Sequence, residues 1–387
     1  MRSMSPLLAL SIGAFGIGVT EFAPMGMLPG MASDLGVSIP TAGLLVSGYA
    51  MGVLLGAPFM TLTTTRVPRR TLLIALMAIF TLGNLMSALA TSYTALLIAR
   101  VVTSLCHGAF FGVGSVVATQ VVAPEKRAGA VATMFMGLTI ATIGGVPLAT
   151  WVGDTLGWRS AFWGIAALGV MAMAALRYAL PDVAAGHSDN VMAEIRVLGQ
   201  RTVLSALALT VLGSSAMFTV FTYIAPILHE QTHASTGFVS AMLMLFGVGM
   251  TIGNLWSGKA TDRAPDRTLI ITLVALTVIL LGFAVIMRWT VPAAITILFW
   301  GIASFAIVPP LQMRVMTAAA AAPNLASATN IGAFNLGNAI GAALGGAVID
   351  AGLGYPAVSL AGAAMAASAL VTLLLIKTWG RAPLASA

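Results

Sequence analysis

Twelve apolar runs of roughly 20 residues, each long enough to cross about 30 Å of hydrocarbon as a helix, follow one another along this chain. They lie near 7 to 29, 41 to 63, 71 to 91, 94 to 120, 129 to 152, 160 to 180, 203 to 228, 237 to 257, 268 to 287, 292 to 316, 325 to 349 and 357 to 376. Lipid offers no partner to backbone N–H and C=O groups, so such runs must fold as helices or as a closed barrel. Their length selects helices. With 59% hydrophobic and 7% charged residues, the 387-residue chain has too little polar surface to cover a soluble globule. The expected class is an all-α, multi-pass membrane protein embedded in a lipid bilayer. Arg2 precedes the first run, but that run is too long for a signal peptide and no small-residue cleavage site follows it, so it reads as a retained span.

The chain also contains itself twice. Residues 65–76 return as 262–273 with seven of twelve letters identical, an offset of 197 residues. The same offset lays Gly16 on Gly213, Pro29 on Pro226, Gly52 on Gly249, Gly56 on Gly253, Gly144 on Gly341 and Gly157 on Gly354 without a gap. Two pseudo-symmetric six-helix bundles follow, residues 1–180 and 203–387, joined by a polar linker over 181–202 with an amphipathic helix expected after a Ser188 cap. In membrane chains such repeats enclose a solute site at their seam.

Net charge is +7, yet its distribution argues against nucleic acid as a partner. With a cytoplasmic N-terminus, fifteen of the eighteen basic residues fall in inner loops and ends, among them Arg66, Arg70, Arg196, Arg201, Arg263 and Arg267. Outer loops keep Arg159 and Arg288 alone, and Arg100 lies inside a span. That asymmetry fixes orientation, with both termini cytoplasmic. Cys106 is the single cysteine, so an internal disulfide is impossible.

Glu21 carries the strongest chemical signal, because a carboxylate inside a span is costly unless paired, protonated or wet, and such residues face the interior, for coupling or solute contact or, alternatively, for a structural hydrogen bond. Eight residues separate it from the outer end of its span, and Arg100 lies six beyond the outer start of the fourth, so at 1.5 Å per residue both sit roughly 9 to 12 Å deep. Equal depth permits contact or a water bridge. Alternatively, Arg100 only satisfies helix-end carbonyls. At 100° per residue, Thr103, Ser104, His107 and Phe111 share the stripe of Arg100. His107 reads either as a proton relay or as a packed, hydrogen-bonded histidine. The second half has Phe218 where the first has Glu21, so proton coupling is expected to be asymmetric.

Candidate cavity residues are Met25, Phe111, Phe218, Thr222, Tyr223, Trp300, Gln312, Asn335 and Asn338, aromatic walls with scattered amides that suit a small neutral or lipophilic solute. The same aromatics read as core in the alternative. Glycines at 337, 341 and 345, and small residues at 137, 141 and 144, clear helix faces for close packing. Pro147, Pro309 and Pro310 must interrupt backbone hydrogen bonding and so should avoid lipid. His229-Glu230-Gln231-Thr232-His233 spells a zinc-protease string, but the repeat places it in an outer loop, with no third ligand. Membrane metalloprotease is therefore a remote alternative. No nucleotide-cradling loop occurs, and no metal or cofactor is expected.

Thr20-Glu21-Phe22 with Met27-Leu28-Pro29, Arg100 with His107-Gly108, Gly144-Gly145-Val146-Pro147, and Gly157-Trp158-Arg159 resemble the twelve-span drug:proton antiporters of the major facilitator superfamily. Within them the likeness is closest to bacterial sugar-efflux and arabinose-efflux-like exporters. That resemblance implies the major facilitator fold and a monomeric, proton-coupled antiporter of the bacterial inner membrane, not an enzyme, which exports a small molecule such as a drug or sugar by alternating access. An importer or facilitator on the same fold is the alternative. It implies gating roles for Gly258, Asp262, Arg263 and Arg267, for Arg66 and Arg70, and for Gly145 and Pro147. The first half departs from the loop signature, with Thr61 and Thr65 at its glycine and aspartate places, and the antiporter signature is approximated by Gly145-Val146-Pro147.

Overall fold

The computed structural model describes residues 5–64, 66–123, 127–181, 196–320 and 323–379; most of the polar linker, with Ser188, lies outside them. Twelve helices are long and apolar enough to span a membrane, and no strand occurs among the described residues. Spans 1 to 6 are Pro6–Gly26, Ile39–Ala57, Arg69–Leu89, Tyr93–Gly114, Thr133–Leu156 and Trp158–Ala179. Spans 7 to 12 are Arg201–Phe221, Thr236–Thr261, Pro265–Ile286, Thr290–Ala318, Thr329–Asp350 and Gly354–Thr378.

The 197-residue repeat extends to single contacts. Gly52 and Gly56 let span 2 approach Val101 and Leu105 of span 4, and their counterparts Gly249 and Gly253 bring span 8 onto Leu298 and Ile302 of span 10. All four partners stand at the same offset. Packing partners repeat as well: spans 1–5, 1–6, 2–4 and 3–6 recur as 7–11, 7–12, 8–10 and 9–12. Between the halves the main contacts are span 2 against span 11 and span 5 against span 8.

Loops repeat in the same register. After span 1 a helix over Leu28–Leu35 ends at Gly36 (φ 63), and Ser38 caps span 2 by accepting from Thr41 N at 3.2 Å. After span 7 a helix over Ile224–Thr232 ends at His233 (φ 53), and Ser235 caps span 8 by accepting from Phe238 N at 3.3 Å. The zinc-protease string therefore lies at a helix end and not in a loop. His233 is the helix cap where the first half has glycine, and His229 Nδ1 is 2.9 Å from the Ala234 carbonyl. No group of three metal-ligating side chains occurs among the described residues.

Prolines break the spans, and tertiary contacts answer the carbonyls they free. Span 10 is interrupted at Ile307; Pro310 has no N–H for Ala306 O, which instead accepts from Ser257 Oγ at 2.5 Å. Span 5 makes one π-turn over Ala141–Gly145 just before Pro147. The extra residue rotates the small face, so Gly145, not Gly144, joins Gly137 and Ala141 against span 1.

Candidate functional site

Span 1 contains Pro24, which cannot donate to the carbonyl of Thr20 four residues earlier. Arg100 of span 4 does so instead, with Nη1 2.7 Å from Thr20 O and 3.3 Å from Thr20 Oγ1. Thr20 Oγ1 donates to Asn84 Oδ1 at 2.7 Å, and Asn84 Nδ2 donates to Phe80 O at 2.8 Å. The guanidinium carbon of Arg100 lies 4.2 Å over the ring of Tyr49, whose hydroxyl is 3.1 Å from His107 Nδ1. His107 Nε2 lies 4.0 Å from Glu21 Oε2. All are buried, including Arg100 at 0% and Glu21 at 4% exposure. Arg100 and Glu21 are neighbours, but no ion pair within 4.0 Å joins them. The guanidinium answers the backbone, and the acid faces His107. Span 4 breaks at Leu105–Cys106, just before His107.

A cavity of about 470 Å³ lies between the halves. The proton-coupling candidates Glu21 and His107 and the cavity candidates Phe111, Gln312 and Asn335 line it. Phe135, Leu255, Gln312 and Asn330 enter from the span ends nearest the face bearing residues 66–68 and 263–265, hereafter the basic face. Toward the other face the halves are sealed. Phe22 of the first half stacks on Phe218 at 6.3 Å and meets Phe221 edge-on at 6.1 Å; behind them, within the second half, Phe221 stacks on Phe246 at 4.5 Å and Phe246 meets Trp300 at 4.7 Å. Met25, Phe218, Thr222, Tyr223, Trp300 and Asn338 are buried in or beside this seal and do not line the cavity. Thr222 Oγ1 donates to Phe218 O at 2.7 Å, and Tyr223 Oη to Ala342 O at 2.8 Å.

The expected gating residues are dispersed. Arg66, Arg263 and Arg267 are exposed, and the Asp262 side chain lies outside the described residues. Arg70 donates to the Arg177 carbonyl at 2.6 Å. Gly258 has open space around it, while Gly145 packs on Phe15 and Val19 and Pro147 is buried. Asp266 is ion-paired on that face, to Arg314 at 2.7 Å and Lys377 at 3.4 Å. At the opposite face Asp34 Oδ2 is 2.6 Å from Arg159 Nη1 and accepts from Trp158 Nε1 at 3.2 Å. The Arg159 bond holds the Asp34 carboxyl below the usual carboxylate range.

Tyr49, Asn84 and Asn254 were not singled out from sequence. Asn84 and Asn254 are amides within spans, a signal the rarity of buried polar groups in lipid makes readable. Tyr49 gave none, since a lone tyrosine in an apolar helix is ordinary.

The family model described as Major Facilitator Superfamily matches residues 10–346 and 207–386. The chain is 57% identical over 371 residues to the "Inner membrane transport protein YdhP" of Escherichia coli, covering 96% of this chain and 95% of the relative. It is 33% identical to the "Chloramphenicol resistance protein" of Streptomyces lividans, covering 87% of each. The crystal structure of a D-xylose-proton symporter superposes with a TM-score of 0.77 at 15% identity, covering 95% of this chain and 96% of that one, a likeness of fold.

Proposed function

Because this chain belongs to the major facilitator superfamily, whose members are transporters of small solutes and not enzymes, we propose that it is a proton-coupled exporter working by alternating access. The carrying observation is the acid Glu21 at the inner end of the cavity, 4.0 Å from His107 and next to the sealed aromatic layer. Protonated, Glu21 is neutral and tolerates burial; deprotonated, it needs water, solute or a cation. Solute and proton then compete for one site, which makes exchange obligatory. Arg100 sets the position of span 1 around Glu21, and His107, tied to Tyr49, is the nearest proton acceptor or donor.

In this reading residues 1–180 and 203–387 rock as two bundles across the span 2–11 and 5–8 contacts, and Gly145 with Pro147 gives span 5 its bend. Arg66, Arg70, Gly258, Asp262, Arg263 and Arg267 act at the basic face as the halves close there. The positive-inside rule makes that face cytoplasmic. The name of the Escherichia coli relative favours the inner membrane, and that of the Streptomyces relative favours export of a drug-like solute. One central cavity per chain suits a monomer.

The test is uptake into proteoliposomes of labelled chloramphenicol and L-arabinose. An acidic lumen should drive uptake through the wild type, and Glu21→Gln should abolish that drive while leaving solute counterflow. Undiminished gradient-driven uptake by Glu21→Gln removes Glu21 from the mechanism, and drive by an acidic exterior makes the protein a symporter.

A further inference from the structure

Resting on the reading of the central cavity as the solute site, we propose that Asn335 is a specificity-determining residue that selects solutes bearing an N–H or O–H donor beside an aromatic ring. Asn335 projects from span 11 into the cavity and is 1% exposed. Its Nδ2 donates to Ile331 O at 3.0 Å. A carbonyl can only accept, so this bond fixes the orientation of the amide and leaves Oδ1 as the atom turned away from its own helix. Asn335 Oδ1 is buried and has no hydrogen-bond partner, the one such side-chain atom among the described cavity-lining residues.

Of the other amides lining the cavity, Asn330 and Gln312 are committed to one another, while Asn254 of span 8 is exposed and so is not a buried acceptor. Thr210 Oγ1 donates to Asn330 Oδ1 at 2.7 Å, and Asn330 Nδ2 donates to Gln312 Oε1 at 2.5 Å. No lysine or arginine is among the described residues that line the cavity, so none of them answers Oδ1. Phe111, Phe135, Phe305 and Phe334 supply apolar rings to the same cavity. A buried acceptor without a donor penalises any solute that also lacks one, and rewards a solute that brings one. The complement is an aryl compound with a secondary amide, amine or hydroxyl.

Two neutral probes that differ in a single N–H test this: N-benzylbenzamide and N-benzyl-N-methylbenzamide, titrated calorimetrically against the purified full-length protein. Wild type should prefer the N–H compound by about tenfold, as one buried hydrogen bond implies. Asn335→Ala should erase the preference, and Asn335→Asp, which keeps an acceptor, should preserve it. Equal affinities in wild type, a preference surviving in monodisperse Asn335→Ala, or binding of neither probe overturns the assignment. Binding needs no proton gradient, so this result and the loss of coupling in Glu21→Gln are read independently.

Discussion

Nη1 of Arg100 lies 2.7 Å from the carbonyl oxygen of Thr20, the acceptor that Pro24 leaves without a helix donor. A side chain from span 4 thus completes the hydrogen bonding of span 1 one residue before Glu21. Replacing Arg100 by Met should cost about 1–3 kcal/mol, because a buried carbonyl is left unsatisfied. Pro24→Ala restores a donor within the helix and should recover about 1 kcal/mol of that loss, visible as non-additivity in unfolding midpoints of the two single variants and the double one. Strict additivity would mean that Arg100 acts elsewhere.

Gly43 of span 2 and Tyr223, just past span 7, meet where the halves are sealed. A Cβ on Gly43 would fall 2.1 Å from Tyr223 Oη and 2.7 Å from its ring. Gly43→Ala should therefore weaken this closure, and Tyr223→Ala added to it should restore it. In a Cys106→Ser background, maleimide labelling of Met25→Cys should speed up several-fold in the first variant and return toward the parent rate in the second. Unchanged labelling would separate this contact from closure.

Asp34 and Arg159 hold the Leu28–Leu35 helix against span 6. Since the folded carboxyl titrates below its unfolded value, the pair contributes stability above the ordinary carboxylate range, and that contribution is lost as pH falls through the folded pKa. Both side chains are part-exposed, so the effect is small. Asp34→Asn should melt below wild type at pH 7, with the gap closing in acid. A gap that persists at low pH would point to packing and not charge.

Asp266 faces Arg314 and Lys377 at the basic face. With the carboxylate 44% exposed, Asp266→Asn should cost no more than about 1 kcal/mol, and high salt should shrink the difference. A larger, salt-independent loss would show the cluster to be structural.

Twelve helical spans, the duplicated halves and the intramembrane acid were all legible from residues alone. Lipid forbids unpaired backbone, so apolar length dictates helix, and a repeated register dictates repeated packing, down to Gly56 on Leu105 and Gly253 on Ile302. Depth along a helix was readable too, which placed Glu21 and Arg100 at one level. Direction round the bundle was not. Which neighbour a side chain meets depends on helix rotation and on breaks such as the π-turn before Pro147 and the interruption before His107, and these arise only when spans pack. Hence tertiary structure alone gave Arg100 to a proline-orphaned carbonyl, set His107 beside Glu21, and divided the candidate aromatics between a sealing layer and a cavity wall.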